Sequence, residues 1–262
     1  LSFAQQRLWF LHRYEGPSAT YNLSYALPLK GKLAEDALAA AVRDVVVRHE
    51  SLRTLFVADS AGVPAQVVVP ACAVAVDVPV REVAPDEVPA AVAAEVAHPF
   101  DLSVEIPVRA CLLRCAPDEH VLVLLMHHIA ADGESMGPLA RDLATAYAAR
   151  VDGGAPSWEP LAVQYADYAL WQRELLGDEA DPGSVLAGQL AYWREELTGV
   201  PQPLRLPLDR PRPPVAGHRG DTVEFVIGPA VHEAVQEVAR AQGATVPMVL
   251  QSALVVLLKL MG

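Results

Sequence analysis

Val121-Leu122-Val123-Leu124-Leu125-Met126-His127-His128-Ile129-Ala130-Ala131-Asp132-Gly133-Glu134-Ser135-Met136-Gly137-Pro138-Leu139 is the stretch from which this chain is best read. Six apolar residues run unbroken from Val121 to Met126. A run of that length bounded by polar residues predicts a strand covered on both faces. His127 and His128 then stand where the buried strand passes into a loop. Successive strand residues point to opposite faces, so the two rings should diverge. Gly133 offers backbone geometry that other residues resist. From Ser135 an amphipathic helix is expected, with Met136, Leu139, Leu143 and Tyr147 on one stripe and Arg141, Asp142 and Arg150 elsewhere.

This spacing leaves three chemical readings open. In the first, one histidine is a base near neutral pH and the other is packed. Asp132 then braces the loop, and the Gly133 amide faces developing negative charge near a helix start. In the second, the histidines only fill a strand end and Asp132 caps a helix. In the third, His127, His128 and Asp132, with His120, bind a metal; divergence of adjacent strand residues weighs against it.

The chain has 262 residues, enough to bury a substantial core. Its formal net charge of −12 argues against nucleic acid or an anionic membrane surface as partner. Cys72, Cys111 and Cys115 are odd in number and match no zinc spacing, so they read as core or surface thiols of a reduced, cytoplasmic protein. No signal peptide opens the chain and no apolar stretch is a confident membrane span. With no initiating Met and an apolar final helix, the sequence is expected to be cut from a longer one.

In chain order, Leu1–His12 predicts a helix with Phe3, Leu8 and Leu11 near one face and Gln5, Gln6 and Arg7 on others. Tyr21–Leu29 alternates as a half-buried strand, and Ala34–Glu50 is helical. Leu52–Val57 and Ala65–Val69 form a hairpin about Asp59-Ser60-Ala61-Gly62. A helix is expected over Asp86–Ala97 and a strand over Pro107–Arg114; a turn at Pro117-Asp118-Glu119 delivers the central strand. His120, at its start, reads as structural or exposed. Helices follow over Tyr165–Leu176 and Ser184–Leu197. Pro201–Pro214 is too rich in proline for a helix and reads as an extended connector. A strand, Thr222–Ile227, and two helices, Pro229–Gln242 and Val246–Met261, complete the reading.

Four motifs in this order resemble condensation domains of nonribosomal peptide synthetases. Ser2-Phe3-Ala4-Gln5-Gln6-Arg7-Leu8-Trp9-Phe10-Leu11 is similar to SxAQxRLWxL. Arg48-His49-Glu50-Ser51-Leu52-Arg53-Thr54-Leu55-Phe56 is similar to RHExLRTxF. His127–Gly133 carries HHxxxDG, and Tyr165-Ala166-Asp167-Tyr168-Ala169-Leu170-Trp171-Gln172 is similar to YxDYAxWQ. The resemblance implies an α/β fold: a chloramphenicol-acetyltransferase-like lobe, a mixed sheet with flanking helices, at residues 1–176. A helix and proline-rich connector would fill 177–220, and 221–262 would open a truncated second lobe. The family joins a donor aminoacyl or peptidyl thioester to the amine of an acceptor thioester. Both ride on phosphopantetheine arms of carrier proteins, in secondary metabolism. No cofactor of the chain's own is implied; the partners are the two carriers, the second lobe and neighbouring synthetase domains.

By the same resemblance His128 and Gly133 carry the chemistry, and His127, Asp132, Arg48 and Arg53 are structural at the site. Arg48 and Arg53 are the arginines expected to pair with a buried carboxylate such as Asp132. Glu134 stands where many members carry an aromatic residue, which bears on the shape and charge of the nearby channel. The intact second histidine and Asp132-Gly133 argue against relatives that only recruit other enzymes. The Ser2–Leu11 stretch argues against an epimerization domain, and HHxxxDG against a heterocyclization domain. Gly16-Pro17-Ser18-Ala19-Thr20-Tyr21-Asn22 leans toward members taking a donor that ends in a D-residue. Two other classes stay open: a non-catalytic carrier-binding lobe, and a stand-alone acyltransferase using coenzyme A.

Overall fold

The computed structural model describes residues 1–200, 206–214, 217, 220 and 223–261. They form two units, Leu1–Ala191 and Tyr192–Gly262. The division falls within the 177–220 stretch.

The first unit is built on a four-stranded sheet. Its strands are β1 (Asn22–Lys30), β4 (Val80–Glu82), β5 (Val108–Ala116) and β6 (Glu119–His127), in the order β1-β6-β5-β4. β6 runs antiparallel to both neighbours, and β4 is parallel to β5. The sheet is therefore mixed, as expected. β4 escaped the sequence reading because three exposed residues are too few to show alternation.

The apolar run is unbroken because both faces of β6 are covered. On one face Leu122, Leu124 and Met126 meet α2 (Glu35–Arg48) and α4 (Met136–Val151) through Leu38, Val42, Val45, Leu139 and Leu143. On the other, Val123 packs with Cys111 and Leu113 under α3 (Val88–Val96). Leu125 joins Phe56, Phe100, Leu102 and Leu8 of α1 (Phe3–Glu15). A separate hairpin pairs β2 (Thr54–Ala58) with β3 (Pro64–Val68), closed by a turn with Gly62 at φ 81°. α5 (Tyr165–Leu176) and α6 (Val185–Glu196) follow, the latter running into the second unit. Cys111 is buried, Cys115 half-buried and Cys72 exposed, and all three are free.

The second unit holds α7 (Pro229–Ala241) and α8 (Val246–Met261). The strand expected at Thr222–Ile227 is not formed. Residues 223–228 are neither helix nor strand, and Thr222 lies outside the described residues. A strand exists only through a ladder with a neighbour, and among the described residues none pairs with this segment, whose Val223, Phe225 and Val226 are exposed. Within the connector, 206–214 lack regular structure, as expected; 201–205 lie outside the described residues. Among the described residues no single helix is long and apolar enough to cross a membrane.

The packing predicts a sharp contrast between two leucines. Leu113 is fully buried beneath α3, whereas Leu170 on α5 is 73% exposed. Urea unfolding should show Leu113→Ala losing about 2–5 kcal/mol, and Leu170→Ala changing stability by no more than about 0.5 kcal/mol.

Candidate active site

The strand register sorts the two histidines. His127, the last residue of β6, is 2% exposed, while His128 begins a turn and is exposed. The His127 ring sits among the rings of His12, Tyr21 and Phe100, at centroid distances of 6.3, 6.3 and 6.2 Å. Its Nδ1 accepts the Ile129 N–H at 3.1 Å. Burial, reinforced by nearby His12 and His128, pushes its pKa down to about 4. A neutral, acceptor-only Nδ1 suits that hydrogen bond.

His128 is held differently. Its backbone N–H donates to the Tyr21 carbonyl at 2.8 Å. Its Nδ1 lies 3.0 Å from the Ala131 carbonyl. A carbonyl only accepts, so Nδ1 carries the proton and neutral His128 presents a bare Nε2. That is the tautomer a base requires.

Asp132 is exposed and turned toward α4. Its Oδ1 accepts from the Ser135 hydroxyl at 2.7 Å and the Ser135 N–H at 3.0 Å, and its own N–H donates to Ser135 Oγ. The Ser135 hydroxyl holds its carboxyl below the ordinary value. Gly133 does not have the positive φ that would demand glycine, so the reading of special backbone geometry is corrected. A Cβ there would meet nothing within 4 Å. What glycine provides is open space beside its own amide.

The expected arginine–Asp132 pair is also corrected. Arg48 ends α2, which lies along α4, so its Nε meets Asp142 at 2.9 Å, and its guanidinium covers the Trp158 ring and donates to the Glu159 carbonyl. His49 Nε2 reaches the same Asp142 oxygen at 2.7 Å. Arg53 turns inward, to the carbonyls of Val47 and Val69 and to Glu50. Asp132 lies before α4 begins, out of line with both. Arg48 ties α2 to α4 and Arg53 ties the end of α2 to the residue after β3; neither holds the aspartate.

The structure does not gather the residues of the metal reading into one cluster. His120 is buried near the opposite end of β6, about 23 Å along the strand from His127. Its Nε2 lies 3.4 Å from Glu35. His127 Nδ1 is already occupied, and among the described residues no group of three His, Cys, Asp or Glu side chains could hold an ion.

Three supports were missed in the sequence. Gln5, assigned to a face away from the apolar one, is buried; Ser2 and Gln5 cap each other across the first turn of α1, and Gln5 Nε2 reaches the Ile129 carbonyl at 3.4 Å. The S-x-x-Q spacing was a legible capping box. Phe100 is fully buried edge-on to His127, behind a turn that Asn22 holds through the Val96 and His98 carbonyls. Gln164 clamps the second motif, donating to the Arg48 carbonyl and accepting the Glu50 N–H. No local signal in the sequence marks these last two.

Two consequences can be measured. His127 has a folded-state pKa below its ordinary 6.5. The stability that neutral burial contributes is therefore complete above pH 6.5 and is lost as pH falls toward 4, by about 3 kcal/mol. Urea midpoints at pH 7 and 4.5 should differ less in His127→Asn, which keeps an acceptor for Ile129, than in the wild type. At pH 7, Asp142→Ala should cost about 2–3 kcal/mol by leaving Arg48 without its carboxylate, and Asp132→Ala about 1 kcal/mol or less.

Comparison with known proteins identifies the family. The family model for the condensation domain matches residues 1–261. The chain is 58% identical over 262 residues to the nonribosomal peptide synthetase CymA of Salinispora arenicola, covering all of this chain and 3% of that protein. It is 52% identical to the dimodular nonribosomal peptide synthase of Bacillus subtilis, covering 11% of it. Among solved structures, the X-domain from teicoplanin biosynthesis superposes with a TM-score of 0.89 at 40% identity, over all of this chain and 57% of that one. That X-domain has also been solved in complex with OxyB. The chain thus spans only a small part of the curated relatives it matches. With its HHxxxDG loop on a mixed sheet of the chloramphenicol-acetyltransferase-like fold, the chain belongs to the condensation-domain family of nonribosomal peptide synthetases.

Proposed function

We propose that this chain is the first lobe of a catalytic condensation domain. The observation that carries the reading is the state of His128: exposed, with Nδ1–H on the Ala131 carbonyl and Nε2 bare. The acceptor amine attacks the donor thioester carbonyl, and the C–N bond forms as charge moves to oxygen. His128 Nε2 receives, or orients by hydrogen bonding, the proton the amine sheds. The C–S bond then breaks, and the thiolate of the donor's phosphopantetheine arm leaves and is protonated. The Gly133 amide, in its open space, faces the oxyanion. His127 stays neutral and structural, and Asp132 shapes the turn into α4.

Donor and acceptor carrier proteins deliver both substrates on phosphopantetheine arms, so the chain holds no cofactor of its own. Residues 1–176 supply the lobe, 177–220 the connector and 221–262 the opening of a second lobe. One lobe cannot by itself enclose and orient two thioesters, so the isolated chain is inactive. The stretch Gly16–Asn22 favours a donor ending in a D-residue.

The 40% identity to the teicoplanin X-domain, which forms a complex with OxyB, favours a second reading: a non-catalytic docking lobe. One experiment separates the two. Single-turnover condensation with loaded donor and acceptor carriers is run for this chain alone, for the chain completed by a second lobe, and for that pair carrying His128→Ala or Gly133→Ala. Product is expected only with both lobes. His128→Ala should slow it at least about a hundredfold, and Gly133→Ala should slow it without lowering the melting temperature. Carrier binding without product in every arm would establish the docking reading instead.

A further inference from the structure

Gln5 is 1% exposed, and its side-chain amide is engaged at both ends. Its Oε1 accepts the Ser2 N–H at 3.1 Å, and its Nε2 faces the Ile129 carbonyl and Gln66 Oε1, each at 3.4 Å. Ile129 directly follows His128, and its own N–H is bound by His127 Nδ1. The residue after His128 is thus held at both its N–H and its carbonyl. The flank beyond it is hollow. A cavity of about 190 Å³, walled by His49, Ser51, Ala130, Ala131, Ser135 and Pro138 among others, lies against this loop. Ile129 and Ala131 themselves pack into the core, and hydrogen bonds hold the backbone polar groups between them. The anchor itself is tied to α5. Ser2 Oγ bonds the Tyr165 hydroxyl, Gln172 accepts the Phe3 N–H, and Arg173 lies over the Phe3 ring while bonding the Leu1 carbonyl.

We infer that Gln5 is a positioning residue for His128: its amide N–H pins the Ile129 carbonyl and so sets the turn in which the Ala131 carbonyl holds Nδ1–H of His128. This rests on His128 being the reacting group, but the geometry can be read without turnover. An apolar side chain of equal length would leave the Ile129 carbonyl without its donor. A glutamic acid would keep a donor only while protonated. Burial raises a carboxyl's pKa, so that donor is present at low pH and lost on ionisation.

The test uses the 262-residue chain with ¹⁵N-labelled histidine, alongside the single-turnover assay of the two-lobe protein. Long-range ¹H–¹⁵N spectra should show wild-type His128 as the Nδ1–H tautomer. Gln5→Met should raise the Nε2–H form and slow condensation about tenfold at unchanged half-saturation by acceptor. Gln5→Glu should match the wild type at low pH and lose rate as pH rises, a titration the wild type lacks. A folded Gln5→Met with wild-type tautomer and rate overturns the inference, as does a wild-type His128 carrying its proton on Nε2. If Gln5→Met fails to fold, a pH-independent ratio of Gln5→Glu to wild type overturns it. Absence of turnover in the wild type would remove the condensation reading and leave the tautomer comparison standing.

Discussion

Everything at the site follows from where β6 stops. The strand alternates with period two, and its last residue is His127. That residue therefore continues the face of Val123 and Leu125 and is buried with Phe100 and Leu8. His128, one residue later, is released into a turn whose own Ala131 carbonyl captures its Nδ1. A shift of one residue in the pairing of β6 with β1 and β5 would exchange the two rings. The ladders hold that register: pairing with β1 is continuous from Lys30 opposite Glu119 to Asn22 opposite His127, and pairing with β5 reaches Val108 opposite Met126.

Around that strand, the remaining motifs hold one another. Arg48 and His49 share Asp142 and so tie the end of α2 to α4. Gln164, just before α5, seals the backbone between Arg48 and Glu50. α5 in turn grips the first residues of α1 through Tyr165, Gln172 and Arg173. α1 carries Gln5 to the back of the His128 loop. Stretches far apart in sequence thus form one chain of contacts ending at the loop. Few of their polar residues face His128; most face each other.

This division explains what could be read in advance. The central strand, its flanking helices and the divergence of the histidines were legible because each is local: a run, a period, an alternation. β4 was not, because three residues carry no period. Thr222–Ile227 looked like a strand because composition records propensity, whereas a strand also needs a neighbour. The partner of Arg48 was misread for a similar reason. Proximity in sequence to the histidines singled out Asp132. Choosing Asp142 instead requires knowing that α2 lies along α4, a property of packing and not of spacing. Phe100 was invisible because nothing local distinguishes an aromatic beneath a histidine from one elsewhere in a core.

The two histidines also constrain each other electrostatically. They are adjacent, and positive charge on His128 disfavours positive charge on His127. Burial settles the contest by keeping His127 neutral, with its Nδ1 committed to the Ile129 N–H. A neutral His127 places no buried positive charge beside the exposed ring. It also supplies one of the two restraints on Ile129, the residue that follows His128. The buried ring therefore holds the backbone and stays uncharged, while the exposed ring is the one of the two that solvent reaches.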